Sequence, residues 1–274
     1  MKELIKSNPL LRAIVFPVYR LRTLSGYLSP SLKQGLAWLL HSRETTNFTY
    51  ELSEKNKNYL VSALSIVTGK PFDELLSYVR EIENDSSLKE HVAAATAKSD
   101  LAYKADREAR FHKRIGWYAI TRAMKPKVVV ETGVDKGLGS VVLCAALLRN
   151  RNDGEPGRYY GTDLNPVAGY LLSGKYAEVG EILYGDSIES LRALGDPIDI
   201  FINDSDHSAE YEAAEYETIK DKISPSAVIL GDNSHVTDKL FLFSRRNDRQ
   251  FIFWEEEPVD HWYPGGGIGF SFNR

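Results

Sequence analysis

From Pro126 onward the chain alternates short β-branched runs with helical ones. Lys127-Val128-Val129-Val130-Glu131 is apolar without alternation and closes on Thr132-Gly133, as a strand buried on both faces of a parallel sheet does. A glycine-bearing turn follows, then an apolar helix over 141–148 and a polar loop with Gly154, Pro156 and Gly157. A second strand over 158–162 ends at Asp163. The same pattern predicts strands over 181–184, 198–203, 227–230, 251–254 and 267–272, most of them separated by helical periodicity. Only residues 255–266 part the last two, too few for a helical crossover, so an antiparallel hairpin is expected there. The predicted fold is α/β: a Rossmann-like, seven-stranded, mostly parallel sheet with an antiparallel last strand.

Before Pro126 the pattern is helical. Tyr59, Leu60, Ala63, Leu64 and Val67 recur at helical spacing, and Gly69 then stops the helix. Residues 72–82 repeat the pattern through Leu75, Leu76 and Val79, Asn84 to Ser87 form a loop, and a charged, mostly helical stretch is expected over 88–124. The chain therefore divides, on this reading, into a helical lid or oligomerisation region, 1–114, and a catalytic domain, 115–274.

Composition adds limits. With 274 residues, 43% of them hydrophobic, the chain can bury a core, which excludes global disorder. One cysteine, Cys144, excludes an internal disulfide and a CxxC motif, and it points to a reducing, cytoplasmic setting. No apolar run is long enough to span a bilayer. Charge is uneven: residues 1–114 hold 18 Lys and Arg against 13 Asp and Glu, and residues 115–274 hold 16 against 25. An acidic second half argues against a nucleic-acid partner. Lys2, Lys6, Arg12, Arg20 and Arg22 oppose only Glu3 in the first 22 residues, among Leu10, Leu11, Ile14, Val15, Phe16 and Tyr19. Such a segment suits an anionic membrane surface; docking on its own protein or on a second copy, within a homo-oligomer, is the plainer reading.

The chemistry-bearing residues fall at predicted strand ends. The first turn reads Glu131-Thr132-Gly133-Val134-Asp135-Lys136-Gly137-Leu138-Gly139-Ser140. Its glycines let backbone approach a ligand at a helix start. The spacing is neither a dinucleotide fingerprint nor a Walker A loop. Asp163 ends the second strand, where an acid can accept from both hydroxyls of a ribose. Asp186 and Ser187 follow the third and suit an adenine amino group. Singly, Asp163 and Asp186 read equally as helix caps. Phe201-Ile202-Asn203-Asp204-Ser205-Asp206-His207 and Leu230-Gly231-Asp232-Asn233-Ser234-His235 end the next two strands, bringing two carboxylates and an amide together as hard oxygen donors suited to Mg²⁺. Asp204 and Asp206 could also cap the helix that follows. His235 and His261 are weaker site candidates, and Trp254, Trp262 and Tyr263 offer an aromatic wall or core packing.

This order of motifs, from the Glu131 turn to Gly265-Gly266-Gly267-Ile268-Gly269, resembles class I S-adenosylmethionine-dependent methyltransferases, and within them the macrocin O-methyltransferase and cephalosporin-hydroxylase-like group. The resemblance covers about residues 110–274. It implies S-adenosylmethionine held by Glu131, Thr132, Gly133, Gly137, Ser140, Asp163, Asp186, Ser187 and Asp204. The Asp and Asp-Asn pairing is similar to that of the catechol and caffeoyl-CoA O-methyltransferases, which implies Mg²⁺ or a similar divalent cation on Asp204, Asp232 and Asn233. Those enzymes place a lysine base three residues after the first ligand, where this sequence has His207, an imidazole able to take a proton at neutral pH. The implied acceptor is a hydroxyl of a small molecule: a sugar, a polyketide or another specialised metabolite. A different reaction on the same fold, or a scaffold without catalysis, are the alternatives.

Overall fold

The computed structural model describes residues 8–44, 48–105, 108–206, 208–232 and 234–273, without the side chains of Arg12 and Pro30. Helix α1 (Pro9–His41) runs through Pro17 and Pro30 and opens on Asn8, whose side chain accepts from the amides of Leu10 and Leu11. The short strand β1 (Glu51–Leu52) leads to α2 (Glu54–Thr68), which Ser53 caps at its start and which ends at Gly69 in the left-handed region, the stop that the sequence predicts. Helices α3 (Phe72–Glu83) and α4 (Ser86–Lys98) follow.

The stretch expected to be mostly helical over 88–124 is so, with one break. After α4 come a 3₁₀ turn at Ala102–Lys104 and a loop in which His112 has φ +38, and only then α5 (Arg114–Met124). The break matters for the site, because it turns His112, Lys113 and Arg114 inward instead of along a helix surface.

The sheet begins at β2 (Val128–Thr132), buried at every position. Elements α6 (Leu138–Asn152), β3 (Arg158–Asp163), β4 (Gly180–Tyr184), α7 (Ser187–Ala193), β5 (Ile198–Asn203), α8 (Ala209–Ile219), β6 (Ile223–Gly231), α9 (Lys239–Arg246), β7 (Gln250–Glu255), β8 (Pro258–Val259) and β9 (Gly267–Phe272) complete the chain. The strand order is β4-β3-β2-β5-β6-β9-β7. β2 through β6 run parallel, while β9 enters between β6 and β7, antiparallel to both. The predicted last pair is thus a hairpin whose second strand lies inside the sheet. One pairing had no sequence signal: β8, in the connection between β7 and β9, pairs antiparallel with β1.

Period-two alternation sorts the central strands between two apolar layers. Val129, Ile200, Ile202, Val228 and Leu230 face a core shared with α2 through α6, which is continuous from Leu60 to Phe272. Val128, Val130, Phe201 and Ile229 face α7, α8 and α9 through Leu191, Tyr216, Ile219 and Phe243. Helix α6 is buried almost all round between sheet and helices, and Cys144 is an inert core residue within it. The chain leaves β2 in one direction for β3 and β4 and returns to its other side for β5 and β6. The carboxyl ends of β2 and β5 therefore flank the point where strand order reverses, where ligands bind in open α/β sheets.

Candidate active site

A cavity of about 490 Å³ opens over these strand ends. Gly133, Asp135, Asp163, Asp186, Ser187, Asp204 and Asp206 line its floor, and Phe48, Thr49, His112 and Arg114 close it from the helical side.

Gly133 holds the two halves of the floor together. Its φ is +78°, and a β-carbon there would stand 2.1 Å from the carbonyl oxygen of Asp204 and 2.6 Å from Ser205 Cα. Only glycine allows the β2 and β5 turns to touch. The Gly133 amide donates to Thr162 O at 2.9 Å, and the Asp204 amide to Thr132 O at 2.9 Å. Lys136, in the same turn, reaches Glu44 at 3.7 Å, while Glu44 Oε2 accepts from the Thr49 amide. The turn is thereby tied to the chain segment that roofs the cavity.

Of the two carboxylates expected to cap helices, Asp186 does so, whereas no helix follows Asp163, which instead closes a turn; both line the cavity. Asp163 accepts from the amides of Asp135 (3.0 Å) and Asn165 (2.8 Å). Asp186 caps α7 through the Glu189 amide and also accepts from the Tyr211 hydroxyl at 3.0 Å. Ser187 Oγ lies 2.9 Å from that hydroxyl. Each carboxylate keeps acceptor capacity toward the cavity.

Four of the residues assigned to the cofactor do not line the cavity. Glu131, Thr132 and Ser140 are buried and turned beneath it, and Gly137 packs against Gly169. Glu131 sits under Gly139, where a β-carbon would meet Glu131 Oε1 at 2.1 Å. The Tyr159 hydroxyl donates to Glu131 Oε2 at 2.5 Å. Burial raises the Glu131 carboxyl to about 7, against the lowering effect of the Tyr159 bond and Arg114. These residues shape the turn from below, since a strand buried on both faces sends alternate side chains into the core.

Sequence reasoning missed Glu215. This α8 side chain is buried and accepts from Thr132 Oγ1 (3.1 Å), Ser205 Oγ (2.8 Å), Ser187 Oγ and the Asn203 amide. It pins the ends of β2 and β5 to the start of α7. Glu215 shares the buried face of α8 with Glu212, Tyr216 and Ile219, in a run whose weak periodicity gave no signal for it.

Sequence reasoning also missed His112-Lys113-Arg114. Lys113 Nζ donates to Asp232 Oδ2 at 2.7 Å, and Arg114 Nη2 lies 3.4 Å from Asp204 Oδ2, all four groups being largely buried. Arg114 also stacks 4.9 Å from the Trp117 ring centre and lies 2.6 Å from His112 Nε2. Burial and the adjacent Arg114 lower His112 to about 4, so its imidazole is neutral. Behind them Glu256 accepts from the Lys113 amide (3.2 Å), the Tyr50 hydroxyl (2.8 Å) and the Gly266 amide (3.0 Å). Burial works to raise Glu256, but contacts with His112, Lys113 and Tyr50 outweigh it and bring it to about 2.

Asp204 and Asp232 are buried near each other, close enough for each charge to act on the other. Burial and the Asp232 charge push Asp204 well above the carboxylate range; Lys113 and Arg114 overcome burial to hold Asp232 below it. Asp232 Oδ1 is buried with no hydrogen-bond partner among the described residues. Two hard oxygen donors forced together, one unpartnered, fit a divalent cation, which would meet Lys113 as its competitor. No third His, Cys, Asp or Glu joins them among the described residues. Asn233, the expected third ligand, and His207, the expected base, lie outside the described residues.

Toward the helical region, Trp38, Phe48, Tyr50, His261, Trp262 and Tyr263 form a continuous ring cluster with centroid spacings of 5.2 to 6.3 Å. A second cavity of about 630 Å³ lies beside it, between α1 and Asp260, and shares Thr49 with the first. Trp254 is core instead, its indole N–H donating to Asn56 O at 3.3 Å.

Residues 130–234 match a family model described as a methyltransferase domain. No curated protein matches the sequence. Among solved structures, the chain is similar to an O-methyltransferase from Bacillus cereus in complex with SAH, at 16% identity over 70% of this chain and 92% of that one, with a TM-score of 0.50. It is also similar to an SAH-bound methyltransferase from Podospora anserina, at 16% identity over 74% and 95% of the two chains, with a TM-score of 0.51. A methyltransferase from Geobacter sulfurreducens aligns at 18% identity over 68% and 90%, with a TM-score of 0.50. At these identities the likeness is one of fold.

Proposed function

We propose that the chain, whose residues 130–234 match a methyltransferase domain, transfers a methyl group from S-adenosylmethionine to a hydroxyl of a small molecule, a sugar or another specialised metabolite. The observation that carries this reading is the convergence of Gly133, Asp163, Asp186 and Asp204, from four successive strand ends, on one cavity. Asp163 receives the ribose hydroxyls. Asp186 with Ser187 faces the adenine, and the Gly133 turn gives backbone room for the amino-acid end.

S-adenosylmethionine supplies a methyl group on a cationic sulfur, which departs as a neutral thioether when the acceptor oxygen takes the methyl. The chain's own part is to orient the acceptor, remove its proton and exclude water. Asp204 and Asp232, with Asn233, would hold a divalent cation. Such a cation lowers the pKa of a hydroxyl it binds. His207, next in sequence to the cavity-lining Asp206, is the proposed base. The ring cluster about Phe48 and Trp262 walls the acceptor side, and the second cavity admits the acceptor's larger part.

Calorimetric titration with S-adenosylmethionine, with and without Mg²⁺ and chelator, tests the reading. Micromolar binding that Asp163→Ala weakens is expected, and no binding under any condition overturns it. His207→Ala should lower turnover more than cofactor affinity; an unchanged rate removes that residue from the mechanism.

A further inference from the structure

Helix α1 is long and mostly unpartnered. Its 33 residues extend roughly 50 Å at 1.5 Å per residue. Among the described residues its ring contacts with the rest of the chain are those of Trp38, with Phe48 and Trp262, near its C-terminal end. The body of the helix carries an apolar stripe at spacings of three, four and seven: Ile14, Val18, Leu21, Leu28, Leu32 and Leu36 are each 55% to 67% exposed. In a soluble domain such a stripe packs on something.

Charge decides what covers it. From Pro9 to His41 there are four cations, Arg12, Arg20, Arg22 and Lys33, and no Asp or Glu. Two such helices side by side would oppose cation to cation with no acid to relieve them, whereas paired amphipathic helices use opposite charges beside the seam. A surface of anionic lipid supplies the missing negative charge along the whole length and accepts the leucines into its acyl boundary. No helix among the described residues is long and apolar enough to cross a membrane, so the helix would lie on the surface.

We infer that α1 docks the protein on anionic membranes. Its last turns, through Gln34, Trp38 and His41, also line the second cavity, so docking brings that cavity toward the lipid surface. The docking itself is independent of the methyl-transfer reading, since it needs neither cofactor nor acceptor.

The full chain should co-sediment with vesicles of mixed phosphatidylglycerol and phosphatidylcholine and leave them at high salt, and should not bind phosphatidylcholine alone. Leu28→Glu with Leu32→Glu should weaken vesicle binding by about tenfold or more, since two apolar anchors are lost and two acids added. Arg20→Glu with Arg22→Glu should weaken it while leaving calorimetric S-adenosylmethionine binding as it is in the unmodified chain. Failure to bind the anionic vesicles, or binding indifferent to both double variants, overturns the inference. So does sedimentation velocity showing a dimer that Leu28→Glu with Leu32→Glu dissociates, because a second copy would then cover the stripe.

Discussion

The floor and the wall of the cavity are built in different ways. The floor is local: Gly133, Asp163 and Asp186 sit in turns at strand ends and bond to backbone within a few residues or on the neighbouring strand. The wall that carries His112 and Arg114 is braced from afar by residues behind the lining, with Lys113 bonded to Asp232 across 119 residues and Tyr50 to Glu256 across 206. Turns tolerate change in their side chains more readily than in their backbone, whereas a buried charge pair depends on every member. The two parts should therefore fail differently.

The wall should give the largest effect. Lys113→Met leaves Asp232 buried without its ammonium, and breaking such a pair costs about 3–5 kcal/mol. Urea denaturation should report that loss, and adding Asp232→Asn should restore much of it. If the double variant is no more stable than the single, the pair is not the source. On the floor, Gly133→Ala places a β-carbon against the Asp204 carbonyl in a left-handed backbone, at a cost of about 2–3 kcal/mol. Calorimetry on this variant should show cofactor binding abolished, because the two turns must part.

Acidity separates the parts with opposite signs. Glu256, in the wall, is lowered from 4.5 to about 2. Its ionised form contributes stability that is complete above pH 4.5 and lost as pH falls toward 2, on the order of 3 kcal/mol. Glu131, beneath the floor, is raised from 4.5 to about 7. Its contribution is present below pH 4.5 and disappears as pH rises through 7, at a similar magnitude. Stability measured against pH should lose its acid limb in Glu256→Gln, and its decline between pH 4.5 and 7 in Glu131→Gln. Matching profiles in the two variants would erase the distinction.

This contrast also explains what the sequence disclosed. Strand β2 is a run of three valines closed by a glycine, and Asp163 and Asp186 end strands with turn residues beside them, so a reader of adjacent letters finds the floor. The alternation of Val128, Val129 and Val130 between two cores was implicit in the same run. His112-Lys113-Arg114 looks like a solvated basic stretch, since nothing within a few residues announces that His112 adopts φ +38 and turns the next two side chains inward. Glu131 misled for a related reason. It stands at the right place in the motif, but strand parity sends its carboxylate to Tyr159 rather than into the cavity.

The smallest effect tests whether Asp163 binds a ligand or only holds its turn. Asp163 already accepts two backbone amides, at 3.0 and 2.8 Å, through different oxygens. Asp163→Asn keeps one carbonyl acceptor and replaces the other with a donor, so one turn bond is lost along with the charge. If the residue only holds the turn, stability falls by about 1 kcal/mol and cofactor affinity does not change. If it also receives ribose hydroxyls, affinity for S-adenosylmethionine drops by about tenfold, the loss of one charge-assisted bond. Adenine itself, which lacks the ribose, should bind the variant and the unmodified chain alike. A comparable loss for adenine would mean that the turn had moved, and the role in the wild-type floor would then be shape alone.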